Sequence, residues 1–246
     1  MSVRSEFGAW ANRLLRPLNV QFIPGTSPDP AVKTYIPARK TIAAARSEGL
    51  SVSEYIDKIH VRPGASRAAI QEMLQIAGLS DKCETVCEIG AGSGRFAEEV
   101  IAALHPNMYE IYETARDWLP ELRKLPNVVI RDSDGRTLRQ TPAGSVDLVH
   151  AQRVFSYIPF YAVAGYMAEM ARVARPGGTV AFDAVTEDCL EEHMVSDWIR
   201  NGSIHHPVPK QWMLSFLTER DLRLAGSFFT PLPPGKLEVL VFHKKG

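Results

Sequence analysis

The chain divides by the spacing of its apolar positions. Up to about residue 80 they recur at helical spacing: Phe7, Trp10, Leu14, Leu15 and Leu18 form one stripe, and "VQFIPGTSPDP" then breaks it. A second helix is predicted from about Ala38 to Ser47, ending at Gly49. Ser51 and Glu54 stand at capping-box spacing ahead of "YIDKI". A third helix follows "RPGAS" and carries Ile70, Met73, Leu74 and Ile76 to a stop at Gly78. Residues 1–80 therefore read as a helical extension or lid, and residues 81–246 as a separate domain.

From "TVCEIGAG" onward the pattern changes. Strand-like runs "TVCEIG", "MYEIYE", "NVVIRD", "VDLVHAQ" and "TVAFDAV" alternate with helix-like "FAEEVIAALH", "TARDWLPELRKL" and "YMAEMARVARPGG". Such alternation predicts a doubly wound α/β fold, a parallel sheet with helices on both faces. The tail "LAGSFFTPLPPGKLEVLVFHKK" holds two further runs, around Phe228 and from Leu237 to His243. A short Pro-Gly loop joins them, so they are expected to form an antiparallel hairpin that completes a seven-stranded, mainly parallel sheet.

Composition narrows the function classes. A chain of 246 residues with 45% apolar and 23% charged residues suits a globular protein with one catalytic-size domain plus an extension. Lys and Arg total 28 against 28 acids, a neutral balance that argues against a nucleic-acid partner. No run approaches the ~20 apolar residues of a membrane span, and the N-terminus lacks the apolar core of a signal peptide. A cytoplasmic location without a membrane partner is expected. Cys83, Cys87 and Cys189 have no metal-ligand spacing beyond the weak Cys83 and Cys87 pair and read as reduced. Adjacent His205 and His206 point apart too readily to chelate, and no metal is expected.

The candidate chemistry starts in "VCEIGAGSGRFAEEV", a strand, a glycine turn and a helix start. In an open parallel sheet such a turn lies where ligands bind, beyond the C-terminal strand ends. A dinucleotide fingerprint requires G-x-G-x-x-G, and Arg95 occupies the position of its third glycine. The spacing is instead G-x-G-x-G over Gly90, Gly92 and Gly94. Glu88, at the end of the strand, is read as facing the cofactor rim, where a carboxylate suits a cationic amine.

These residues resemble the first motif of the class I S-adenosylmethionine-dependent methyltransferases, and later segments follow in that family's order over about Thr85 to Gly246. The resemblance implies that Glu113, or less directly Glu110, holds the ribose hydroxyls of S-adenosylmethionine. It places Asp132, Ser133 and Asp134 near the adenine, and it matches "VARPGGTVAF" and "KLEVLVFHKK" to the family's fifth and last strands. The N-terminal helices fall outside it, and in this family such helices often cover the substrate pocket.

Methyl transfer is an in-line displacement in which the protein positions the acceptor and excludes water. Hydroxyl and protonated amine acceptors must lose a proton, whereas a carboxylate need not. His150, at the end of the fourth strand, is the first candidate for a base or an acceptor contact; alternatively it is a pocket wall, or its carbonyl meets the cofactor. Arg153 either holds an anionic acceptor or is a solvated helix-start residue. Tyr157, Phe160 and Tyr161 either wall the acceptor pocket or pack in the core. Asp183 ends the fifth strand, and Tyr35, Arg39 and Lys40 are candidate lid contacts. The expected activity is methylation, at oxygen, of a small-molecule or sugar-containing acceptor by a monomer or homodimer. N- or carboxyl-methylation and a non-catalytic cofactor-binding role are the alternatives.

Overall fold

A strand at the centre of a parallel sheet is covered on both faces, so its side chains are apolar throughout. Val86–Ile89 meets that condition at all but Glu88 and lies in β1 (Thr85–Ile89) of the computed structural model, which describes residues 36–80 and 83–246. β1 pairs in parallel with β2 (Met108–Tyr112) on one side and β4 (Val146–Ala151) on the other. β3 (Val128–Arg131) extends the sheet beyond β2, and β5 (Ala174–Ala184) lies beyond β4. β6 (Leu222–Leu232) and β7 (Gly235–Lys244) form an antiparallel hairpin that enters with β7 beside β5. The order is β3-β2-β1-β4-β5-β7-β6, the seven-stranded arrangement expected from the sequence.

Helices cover both faces. Cys87, Ile89, Val149, Ala151, Phe182 and Phe242 alternate onto one face and share a core with Val163, Met167 and Met170 of α6 (Phe160–Val173). Met213 and Leu217 of α8 (Lys210–Thr218) join that core. The opposite face is covered by α3 (Ala65–Ala77) and α4 (Arg95–Leu104), which bury Ile70, Met73, Phe96 and Val100. Ahead of them run α1 (Ala38–Ser47) and α2 (Val52–His60). α2 opens on a complete capping box: Ser51 accepts from the Glu54 amide, and the Glu54 carboxylate accepts from the Ser51 amide at 2.8 Å. α3 stops at Gly78, which is left-handed with φ +64°. These helices belong to one unit running from Pro37 to Gly246.

Two segments depart from the pattern-based reading. "TARDWLPELRKL" forms only one helical turn, α5 (Leu119–Leu122). Pro120 sits at its start and Pro126 follows Leu125, and a residue before proline is driven out of the helical region. "ARPGG" is assigned to β5 rather than to a separate turn: Ala174 pairs with Val146 and Thr179 with Leu148, so Arg175 to Gly178 bulge outward. A Cβ on Gly178 would lie 2.9 Å from the Arg175 carbonyl and 3.0 Å from that of Val146, so only glycine fits there. Between β5 and β6 the chain adds a 3₁₀ turn (Glu187–Cys189), α7 (Glu192–Asn201) and α8. The predicted Phe7–Leu18 helix and Tyr35 lie outside the described residues. Among the described residues, no helix is long and apolar enough to cross a membrane.

Candidate active site

The glycine turn is held in a shape that few other residues adopt. Gly90, Gly92 and Gly94 have φ of +69°, +53° and +84°, all left-handed. Gly90 and Gly94 are also tight: a Cβ would lie 2.5 Å from Val154 Cγ2 at the first and 3.0 Å from Leu122 Cδ2 at the second. Gly92 has nothing within 4 Å of that position. The turn is therefore packed from behind at two glycines and open at the middle one, where a ligand can approach the backbone.

Glu113, directly after β2, lies beside that opening. Its Oε2 accepts from the Gly92 amide at 2.5 Å and its Oε1 from the Ala115 amide at 2.6 Å. A carboxylate offers about four acceptor positions, so both oxygens keep a lone pair for further donors. Glu110, the other candidate for this role, is buried and engaged by Arg131 and Thr141. After β3, Asp134 accepts from the Arg136 and Thr137 amides and the Thr137 hydroxyl, which fixes the loop. Ser133 Oγ accepts from Gly135, and the Asp132 amide donates to Gln140. Asp134 acts electrostatically on Tyr166, as does Glu113, so this loop and the Glu113 carboxylate share one neighbourhood.

Two expected site residues lie elsewhere. Glu88 is fully buried in the sheet face beneath the helices, and it does not line the rim. Its Oε2 accepts from Tyr109 Oη at 2.8 Å, Oε1 has no partner, and burial raises its proton affinity to about 8. The same tyrosine oxygen lies 2.8 Å from His150 Nε2. The His150 ring is also fully buried, Nδ1 is unpartnered, and burial lowers its proton affinity to about 3. The residue alternation of β1, β2 and β4 turns Glu88, Tyr109 and His150 inward on one face. The strand-end position suggests a base role for His150, whereas its ring packs against Tyr109 rather than lining the cleft.

Beyond β4 and β5 lies an open cleft. Its apolar walls include Phe96, Phe228 and Pro231, with Ala65 and Ala69 from the α3 side. Arg153 is in it, with φ +60°, its amide donating to both Asp183 oxygens at 2.9 and 2.8 Å and its Nη2 to the Pro231 carbonyl at 2.6 Å. Arg95 also lines it and pairs with Asp57 at 3.0 Å; Asp57 in turn accepts from the Ser66 amide and hydroxyl. The residue that replaces a third glycine thus ties α4 to α2 and α3. Asp183 is 1% exposed, and burial raises its carboxyl to about 6 against the opposing pull of Arg153 and Arg95. Its place at the C-terminal end of β5 was the available signal in the sequence.

The remaining candidates surround this core or lie off it. Tyr157 is half-buried, with its ring 5.2 Å from that of His205. His205 Nδ1 is buried without a partner, and the His206 amide donates to the Ser156 carbonyl. Phe160 and Tyr161 are exposed at the start of α6, Phe160 against Trp212, so they wall neither the cleft nor the core. Arg39 and Lys40 are exposed on α1. Among the described residues, no three His, Cys, Asp or Glu side chains cluster as metal ligands.

Comparison with known proteins decides the family. The family described as "Methyltransferase domain" matches residues 59–226, which contain the glycine turn, Glu113 and most of the cleft. The chain belongs to it. It is a class I S-adenosylmethionine-dependent methyltransferase, and its sheet is the methyltransferase fold. No curated protein sequence matches it. Among solved structures it is similar to magnesium protoporphyrin IX methyltransferase from Synechocystis PCC 6803, determined with bound S-adenosylhomocysteine. That pair shares 12% identity and a TM-score of 0.59 over 99% of this chain and 98% of the other. It is also similar to the N-methyltransferase NodS from Bradyrhizobium japonicum WM9, at 15% identity and TM-score 0.57 over 84% and 99% of the two chains. The [4+2]-cyclase SpnF is 13% identical, with TM-score 0.59 over 75% and 82%. At such identities the likeness concerns the fold, and one fold carries many acceptors.

Proposed function

We propose that this methyltransferase transfers a methyl group to a hydroxyl oxygen of a small-molecule acceptor bound in the cleft beyond β4 and β5. The observation that carries the reading is the open backbone at Gly92 beside the Glu113 carboxylate, on the same strand-end side of the sheet as that cleft. When bound, S-adenosylmethionine supplies a methyl group activated on a sulfonium sulfur. Gly90, Gly92 and Gly94 would let its amino-acid portion approach the backbone, Glu113 would take the ribose hydroxyls, and Asp132 to Asp134 would border the base. Arg153 and the aromatic walls would orient the acceptor and exclude water.

Charge in the cleft supports the choice of a hydroxyl acceptor. A carboxylate acceptor needs no base, yet the cleft holds the deeply buried carboxylate of Asp183. An amine acceptor would enter as an ammonium ion, and Arg95 and Arg153 beside that carboxylate repel a cation. A neutral hydroxyl suits both conditions. The test is methyl transfer from S-adenosylmethionine to a panel of matched alcohols, phenols, amines and carboxylic acids, with products read by mass. Methylated alcohols or phenols support the reading; turnover confined to amines or acids overturns it.

A further inference from the structure

The Asp183 carboxylate is placed deep in the cleft with too few donors. It is 1% exposed, and among the described residues its one hydrogen-bond donor is the Arg153 amide, shared between its two oxygens. The Arg153 Nε stands 4.0 Å away, beyond hydrogen-bond reach. A buried carboxylate is ordinarily satisfied by several donors, and one left short is costly. Asp183 lines the cleft, so a molecule in the cleft can supply the missing donor.

The walls narrow what that molecule is. Phe96, Phe228 and Pro231 give the cleft apolar surfaces. We propose that Asp183 is the general base for an acceptor bearing an aryl hydroxyl group, whose ring packs against these side chains while its O–H points at the carboxylate. This rests on the methyltransferase reading given above. In the step, the acceptor's O–H bond breaks, its proton passes to an Asp183 oxygen, and the bonding pair stays on the acceptor oxygen as the nucleophile. Asp183 afterwards returns the proton to water at the cleft mouth.

The proton affinities agree with this assignment. A phenol ionises near 10, roughly 4 units above the value of about 6 for Asp183. A water-like alkyl hydroxyl, near 15.7 in bulk water, would leave a gap of roughly 10 units. Other groups facing the carboxylate are Arg95, Arg153 and the Tyr157 phenol, with Arg62 and Glu72 at the mouth. His60, whose proton affinity burial lowers, lies near the two arginines and is the competing titration.

The test is calorimetric titration of phenol, with anisole as the analogue lacking the proton, into the S-adenosylhomocysteine complex of the wild type and of Asp183→Asn. Phenol is expected to bind the wild type about tenfold more tightly at about pH 8 than at about pH 5, because its bond to an ionised carboxylate is charge-assisted. Anisole is expected to show no such dependence, and Asp183→Asn to lose it while keeping its S-adenosylhomocysteine affinity. The side-chain amide of that variant carries no charge, but its oxygen can still accept from the Arg153 amide, which protects the local backbone. A pH dependence that survives in Asp183→Asn, phenol and anisole behaving alike, or no phenol binding to a complex that holds S-adenosylhomocysteine overturns the proposal. Failure of the wild type to bind S-adenosylhomocysteine sinks the methyltransferase reading instead, so the two failures are distinct.

Discussion

The Gly92 amide donates to Glu113 Oε2 at 2.5 Å, joining the turn after β1 to the end of β2. This bond holds an acid beside the one glycine of the turn whose Cβ position is open. Two alanine substitutions separate the packing of the turn from its role in binding. In Gly90→Ala the new methyl would lie 2.5 Å from Val154 Cγ2 and the φ would remain strained. A loss of about 2 to 3 kcal/mol is expected by urea unfolding. Gly92→Ala meets no neighbour, so it is expected to cost only about 1 kcal/mol while weakening S-adenosylhomocysteine binding at least about tenfold.

The buried pair Glu88 and His150 predicts opposite pH effects on stability. The folded-state value of Glu88 is raised from 4.5 to about 8, so the stability it contributes is present below 4.5 and lost as pH rises through about 8. That of His150 is lowered from 6.5 to about 3, so its contribution is present above 6.5 and lost as pH falls through about 3. Urea unfolding across pH is expected to show the Glu88 contribution to wild-type stability lost progressively between pH 4.5 and about 8, and Glu88→Gln is expected to flatten that interval. A dependence between pH 4.5 and about 8 unchanged in the variant would show that Glu88 does not titrate as its burial implies.

The ion pair of Arg95 and Asp57 is shielded from water, with side-chain exposures of 11% and 5%. Asp57→Ala leaves a buried guanidinium unpaired and removes the acceptor of the Ser66 amide at the start of α3. A loss of about 3 kcal/mol is expected. Asp57→Asn, which keeps an acceptor, is expected to lose less. Equal stability of all three proteins in urea would contradict this account.

The sheet was legible because its evidence is local and periodic. The runs around Val86, Ile111, Val149 and Val180 are mostly apolar on both faces, as buried strands must be, and the Ser51 and Glu54 capping box marked its helix correctly. The helix expected around Trp118 shrank to one turn because Pro120 and Pro126 outweigh its apolar spacing. The acid beside the glycine turn was legible from its place after β2. The face to which a side chain turns was not: Glu88 and His150 end strands near the site, yet strand alternation directs both inward to Tyr109. The cleft depends on α3, β5 and β6 meeting in space, so the isolation of Asp183 from other donors appears only in the folded chain.

The most direct measurement is calorimetric titration of the wild type and Glu113→Ala with S-adenosylhomocysteine, with NADH as the control ligand. Saturable binding by the wild type, weakened about 10- to 100-fold in Glu113→Ala by loss of hydrogen bonds to a charged group, is the expected result, with no NADH binding. Binding of NADH alone, or S-adenosylhomocysteine affinity unchanged by Glu113→Ala, would contradict the site described around Gly92 and Glu113.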